Sequence, residues 1–117
     1  MKYLLDSNVV IDILRNKVDV ITRYNIAAIR NNEFFTCPVV YYEVVRGFRG
    51  EATKKLSKFL DMCQRWKMLP LDMKAIEQAI NIYLRLPRGI TIEDNDIYIA
   101  AIAMANDCTL VTANYSY

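Results

Sequence analysis

Three carboxylates stand out by where they sit in the 117-residue chain. Asp6 ends the short apolar run KYLL (2–5). Glu43 lies inside PVVYYEVVRGF, where nearly every neighbour is apolar or aromatic. Asp96 belongs with Glu93 and Asp94 to TIEDNDIYIAAIAMA (91–105), which carries no charge after Asp96. Each acid has an ordinary explanation on its own. Asp6 and the acids at 93, 94 and 96 suit helix N-termini, where a carboxylate accepts from free N–H groups and complements the dipole for about 0.3–1 kcal/mol. Glu43 suits an exposed helical position or a pair with Arg46 three residues on. A converging trio is a different matter. Two carboxylates about 4 Å apart repel by roughly 4 kcal/mol at an effective dielectric near 20, so three in one pocket require a counter-ion or shared protons.

The chain contains no His. That removes imidazole acid–base chemistry, Ser-His-Asp and Cys-His nucleophile systems and the usual zinc sites. An all-oxygen ligand set favours Mg²⁺ or Mn²⁺, and a hard divalent ion among carboxylates points to metal-assisted phosphodiester hydrolysis.

The elements that must position these acids follow from apolar patterning. KYLL reads as a buried strand, and Asp6-Ser7-Asn8 as the residues that cap the helix after it. A second helix is predicted over about 18–31. FFTCPVV (34–40) reads as a strand broken at Pro38, with YYEVVRGF turning helical and stopping near Gly47. The polar stretch from Arg49 to Lys55 opens another helix, with Leu56, Phe59, Leu60 and Cys63 on one face. KMLPLD (67–72) reads as a third strand, 73–86 and about 94–106 as helices, and TLVT (109–112) as a fourth strand. Short apolar strands alternating with helices mean an α/β fold: three layers, with a parallel sheet of about four strands flanked by helices. Ligands in such sheets bind beyond the carboxyl ends of the strands. Asp6 follows strand one, and Asn114 follows strand four after Thr112, so adjacent first and fourth strands would bring both to one crevice.

Composition bounds the rest. Hydrophobic residues make up 54% of the chain, enough for a folded core, and the net charge of +2 is too small to define a polyanionic partner by itself. No run approaches the roughly 20 apolar residues that span a bilayer. Asp6 and Asp12 interrupt the apolar N-terminus, against a signal peptide, so a cytoplasmic protein without membrane contact is expected. Cys37, Cys63 and Cys108 are an odd, widely spaced set and are expected to be buried free thiols.

YLLDSNVVID, YYEVVRG and GITIEDNDIYIAAIAMANDCTLVTAN, in that order and spacing, resemble the PIN-domain family and, within it, the VapC-type toxins of toxin–antitoxin pairs. The resemblance covers nearly the whole chain. It implies a Mg²⁺- or Mn²⁺-dependent endoribonuclease that cuts structured RNA such as tRNA or rRNA, is silenced by a VapB-like antitoxin and forms a homodimer. By that resemblance Asp6 and Asp96 bind the metal directly, and Glu43 binds it directly or through water. Asn114 matches a fourth site position that is an acid in some members and Asn in others. Ser7 and Asn8 match residues that hold the site together by hydrogen bonds, Thr112 opens the TxN segment, and Asp94 stands at a variable position as a cap or supporting acid. Family members usually continue beyond TxN, whereas this chain stops at Tyr117; a single domain over 1–117 lacking its C-terminal edge strand is therefore expected.

Arg15, Lys17, Arg46, Arg49, Lys54 and Lys55 could line a path for RNA phosphates, with Arg46, one helical turn from Glu43, the leading candidate and Arg49 beside it. Tyr41, Tyr42 and Tyr98 could stack bases or pack inside. The helix 18–31 and YLRL (83–86) are apolar enough for an interface. Two rival readings stand beside the nuclease. An aspartyl nucleophile at Asp6 would want a second Asp two residues on, where this chain has Asn8. A non-catalytic acid pocket could instead dock a basic partner segment.

Overall fold

The computed structural model describes residues 1–49, 51 and 53–112. Four strands form one parallel sheet: β1 (Lys2–Leu5), β2 (Glu33–Thr36), β3 (Lys67–Met68) and β4 (Thr109–Val111), in the order β3-β2-β1-β4. Leu4 of β1 stands opposite Phe35 of β2 on one side and Leu110 of β4 on the other. Chain order therefore reverses at β1, which has β2 and β4 as its two neighbours. Asp6 leaves the sheet at that switch point, the place where open α/β sheets form a crevice.

Among the described residues six helices surround the sheet: α1 (Ser7–Leu14), α2 (Val18–Ile29), α3 (Pro38–Gly47), α4 (Thr53–Arg65), α5 (Met73–Arg85) and α6 (Asp94–Ala105). The core joins Leu4, Leu5 and Phe35 of the sheet to Val10, Ile13 and Leu14 of α1, Val40 and Val44 of α3, Phe59 of α4, and Ile99 and Ile102 of α6. α6 is apolar around its whole circumference because it is sandwiched. Ile97 and Ala101, one turn apart, pack with Ala79 of α5, while Ile99, Ile102, Ala103 and Ala105 enter the main core. Small side chains at 79 and 101 let α5 and α6 approach closely, which fixes where the N-terminus of α6 points.

Two expected strands are shorter than their apolar patterns. The run 34–40 divides, with β2 ending at Thr36 and Pro38 opening α3. Proline has no N–H to donate and its fixed φ suits the first helical position. Cys37 before it is held extended at φ −149° and ψ 165°. Val39 and Val40 are thus first-turn helical residues, an outcome their β-branched side chains disguise. The expected strand 67–72 reduces to Lys67–Met68. Pro70 cannot donate to a ladder, and Asp72 is already the N-cap of α5, accepting from the Ala75 N–H at 3.0 Å. The cysteines are free as expected, but only Cys37 is fully buried; Cys63 and Cys108 are half-buried. α2, expected to be apolar, has no buried residue, and Ile26 and Ile29 are exposed on it.

Candidate active site

Asp6 caps α1. Its backbone is extended and its Oδ1 accepts from the Ser7 N–H at 2.7 Å, while its own N–H donates to the Val111 carbonyl at 2.9 Å. The cap and the β1–β4 ladder thus share one residue, which ties the half-buried carboxylate to the sheet. Ser7, 7% exposed, donates its hydroxyl to Glu43 Oε1 at 2.9 Å and lies 3.4 Å from Asp6 Oδ1. One hydroxyl therefore spans two acids that are 37 positions apart by residue number.

Glu43 sits mid-way along α3, which packs on α1. A Cβ built on Gly47 would come within 3.2 Å of the Ile11 side chain, so the glycine lets the two helices approach and bring Glu43 to Ser7. The second Glu43 oxygen, Oε2, accepts from Asn95 Nδ2 at 3.4 Å and pairs with Arg46 Nη2 at 3.5 Å. Glu43 is only 12% exposed as a side chain, and Arg46 is 57% exposed. Both ordinary readings of these acids thus hold as well: Asp6 is a helix cap and Glu43 pairs with Arg46.

Asp96 occupies the first turn of α6 with Asp94, and Glu93 is the N-cap residue without making a side-chain cap bond. Asp96 is exposed as a residue. Its carboxyl is nevertheless held above the ordinary Asp range, first by partial burial and then by repulsion from Asp6, Glu43 and Glu93. Cys37, the N-cap position of α3, feels the same field. Burial is the main cause that pushes its thiol up; the N–H groups of Val40 and Val39 oppose it, and the carboxylates of Asp6 and Glu43 add to the rise. The end of β1, the middle of α3 and the start of α6 thus lie near enough for the charges of Asp6 and Glu43 to act on Asp96.

The supporting residues divide. Ser7 bridges the site, whereas Asn8 is exposed on the outer face of α1 and Asp94 is exposed at the start of α6. Thr112 follows β4 at the rim of a cavity of about 520 Å³ lined also by Tyr3, Val20, Tyr24 and Phe34. That cavity lies beside α2, and none of the three acids lines it. Asn114 and the expected C-terminal end lie outside the described residues. Asn95 is a site residue that the sequence reading overlooked. The available signal was its position between two acids in a helical first turn, but nothing local indicated that a residue 52 positions away would receive its amide.

The basic residues gather at the far end of α3. The guanidinium of Arg15 lies 5.4 Å from the centre of the Phe48 ring and the Lys55 ammonium 6.0 Å, while Arg46 lies 5.2 Å from the Tyr42 ring. Arg49 is exposed just past α3 with a left-handed φ of 51°. Lys17 is engaged by Asp12 at 3.4 Å. Of the tyrosines, Tyr41 packs on Phe59 with ring centres 5.5 Å apart, Tyr98 is half-buried and Tyr42 is 56% exposed.

The donor chemistry suits a hard cation: oxygen only, anionic excess, and repulsion registered at Asp96. The side chains as they stand do not enclose one. Among the described residues no three His, Cys, Asp or Glu groups are gathered closely enough to hold a metal ion.

The chain belongs to a known family: the PIN domain matches over residues 3–117. The family consists in general of nucleases. Solved structures share the fold. VapBC2 from Rickettsia felis, bound to a DNA fragment from its promoter, matches with a TM-score of 0.85 at 23% identity over 99% of this chain and 90% of that one. DNA-bound VapBC from Salmonella typhimurium matches at 0.82 and 22% over 99% and 89%. A toxin–antitoxin complex from Klebsiella pneumoniae matches at 0.78 and 14% over 97% and 88%. No curated protein sequence matches the chain significantly. Among the described residues, no helix is long and apolar enough to cross a membrane.

Proposed function

We propose that the protein is the toxin of a VapBC-type pair, a cytoplasmic endoribonuclease that hydrolyses structured RNA with a carboxylate-held Mg²⁺ or Mn²⁺. The observation that carries this reading is the convergence on Glu43 of Ser7, which also lies 3.4 Å from Asp6, and of Asn95 beside Asp96 in the first turn of α6. Family membership and the fold shared with VapBC complexes support it. Asp6 and Asp96 would hold the ion and Glu43 would join them, with Asn114 as a fourth contributor. A divalent ion bound there would supply Lewis acidity and charge neutralisation at the scissile phosphate.

The chain's own residues do the remaining work. Ser7 fixes the spacing between Asp6 and Glu43, and the start of α6 aims Asp96 at the same crevice. The cations around Phe48 lie about 7–8 Å along α3 from Glu43, at 1.5 Å per residue, a distance suited to the next phosphates of a bound strand. With no His available, a cyclic-phosphate route through paired imidazoles is closed. Hydrolysis leaving a 5′-phosphate and a 3′-hydroxyl is the expected outcome. Exposed Tyr83 and Leu84 on α5 supply apolar surface for a homodimer or for the antitoxin.

The test is Mn²⁺-dependent cleavage of a tRNA and rRNA panel. Asp6→Asn and Asp96→Asn are expected to lose at least about 100-fold in rate, while Asp12→Asn, whose carboxylate pairs with Lys17 outside the site, retains activity. A panel left intact by the wild type, together with tight binding of a basic peptide, would instead establish the acid pocket as a docking site. The already engaged Glu43 is the observation that favours that second reading.

A further inference from the structure

We propose that Tyr42 is a base-stacking residue: its ring, steadied beside Glu43 by Arg46, takes an unpaired base of the RNA strand and gives the protein a preference for single-stranded over duplex segments. The inference rests on the RNA-cleaving reading above and adds a determinant of which RNA segments are bound.

Three observations lead there. Tyr41 and Tyr42 are neighbours on α3 but are used differently, since successive side chains leave a helix in different directions. Tyr41 packs on Phe59 with ring centres 5.5 Å apart, whereas Tyr42 is 56% exposed and, among the described residues, makes no ring–ring contact. What meets Tyr42 is a cation. Arg46, one turn on, places its guanidinium 5.2 Å from the ring centre and also reaches Glu43 Oε2 at 3.5 Å. One side chain thus joins the exposed ring to the acid that Ser7 and Asn95 hold. Finally, α3 ends in positive charge. Arg15 and Lys55 lie 5.4 and 6.0 Å from the centre of the Phe48 ring, held there by an aromatic face rather than by an acid.

These features divide the work of holding a polyanionic strand. The cations around Phe48 attract phosphates without regard to sequence. A tyrosine ring offers a flat surface to a base, and every base has a π-face, so this contact also tolerates any sequence. It does not tolerate pairing. The faces of duplex bases are covered by their neighbours in the stack, and only an unpaired base can be splayed out onto an aromatic side chain. Tyrosine suits the task because it has two χ angles, so little freedom is lost when a base settles on it. Within a folded RNA, loops and bulges are therefore bound ahead of helices, and the stacked base belongs to a nucleotide beside Glu43.

The test is equilibrium binding, by fluorescence anisotropy, of a short unstructured RNA and of the same strand annealed to its complement, in EDTA so that no strand is cut. The proteins compared are wild type, Tyr42→Ala and Tyr42→Trp. Tyr42→Ala is expected to bind the single strand about five- to hundredfold more weakly than wild type. Tyr42→Trp is expected to restore wild-type affinity, and all three to bind the duplex alike. Undiminished single-strand binding in Tyr42→Ala, an equal loss on the duplex, or a loss that Tyr42→Trp does not restore overturns the stacking role and leaves the nuclease reading standing. A wild type that binds neither RNA, in EDTA or with Mn²⁺, removes the RNA reading itself, and this inference with it.

Discussion

Glu43 of α3 and Asp96 of α6 lie on neighbouring helices joined by the Asn95–Glu43 hydrogen bond but are built in opposite ways. Glu43 rises from the middle of α3, is nearly covered, and has a hydroxyl, an amide and a guanidinium on its two oxygens. Asp96 is exposed in the first turn of α6, and its carboxyl pKa is raised first by partial burial and then by the charges of Asp6, Glu43 and Glu93. The first arrangement is a latch that joins α1, α3 and α6. The second is an uncompensated charge that the helix N-terminus makes tolerable by about 0.3–1 kcal/mol. The contacts of Glu43 therefore stabilise the fold, and the charge of Asp96 works against it.

The largest expected effect on folding comes from breaking the latch. Ser7→Ala removes a buried donor to a carboxylate and is expected to lower unfolding free energy by about 1.5–3 kcal/mol, read from urea denaturation. A loss below about 0.5 kcal/mol would mean that Glu43 finds another donor and that the latch is not structural.

The opposite sign is expected at Asp96. Its folded-state pKa is raised, so below the unfolded value of about 3.9 the carboxyl is protonated in both states and no penalty exists. As pH rises through the folded pKa, stability is lost. Asp96→Asn is therefore expected to melt at or slightly above the wild-type temperature at pH 7 and to converge with it near pH 3. Partial exposure keeps the gain small. A variant less stable than wild type at pH 7 would show that the helix dipole outweighs the repulsion. Smallest of all, Asn95→Ala removes a hydrogen bond of 3.4 Å and is expected to lower stability by about 0.5 kcal/mol in the same denaturation assay.

The residues proposed for the site carry local signals. Asp6 ends an apolar strand, Glu43 interrupts an apolar stretch, and Asp96 opens a helix with no later charge. The adjacency of β1 and β4 could be framed as a condition, and the sheet order meets it. Pro38 was harder to read, since a proline between valines looks like a broken strand as readily as a helix start, and only the pull of α3 into the core decides. Asn95 and the full set of contacts on Glu43 had no local signal, because they depend on how α6 is set by its Ala79–Ala101 packing against α5. Local pattern reveals which residues are unusual; tertiary packing decides which of them meet.

The central claim, that Asp6, Glu43 and Asp96 form one cation site, is tested most directly by the thermal shift that Mn²⁺ produces without any RNA present. A ligand that binds only the folded state raises stability with its concentration, by about 2.7 kcal/mol at a hundred times Kd. Wild type and Asp12→Asn are expected to gain melting temperature progressively with Mn²⁺, while Asp6→Asn and Asp96→Asn gain little or none. An equal shift in all four proteins, or no shift in the wild type, would contradict the account.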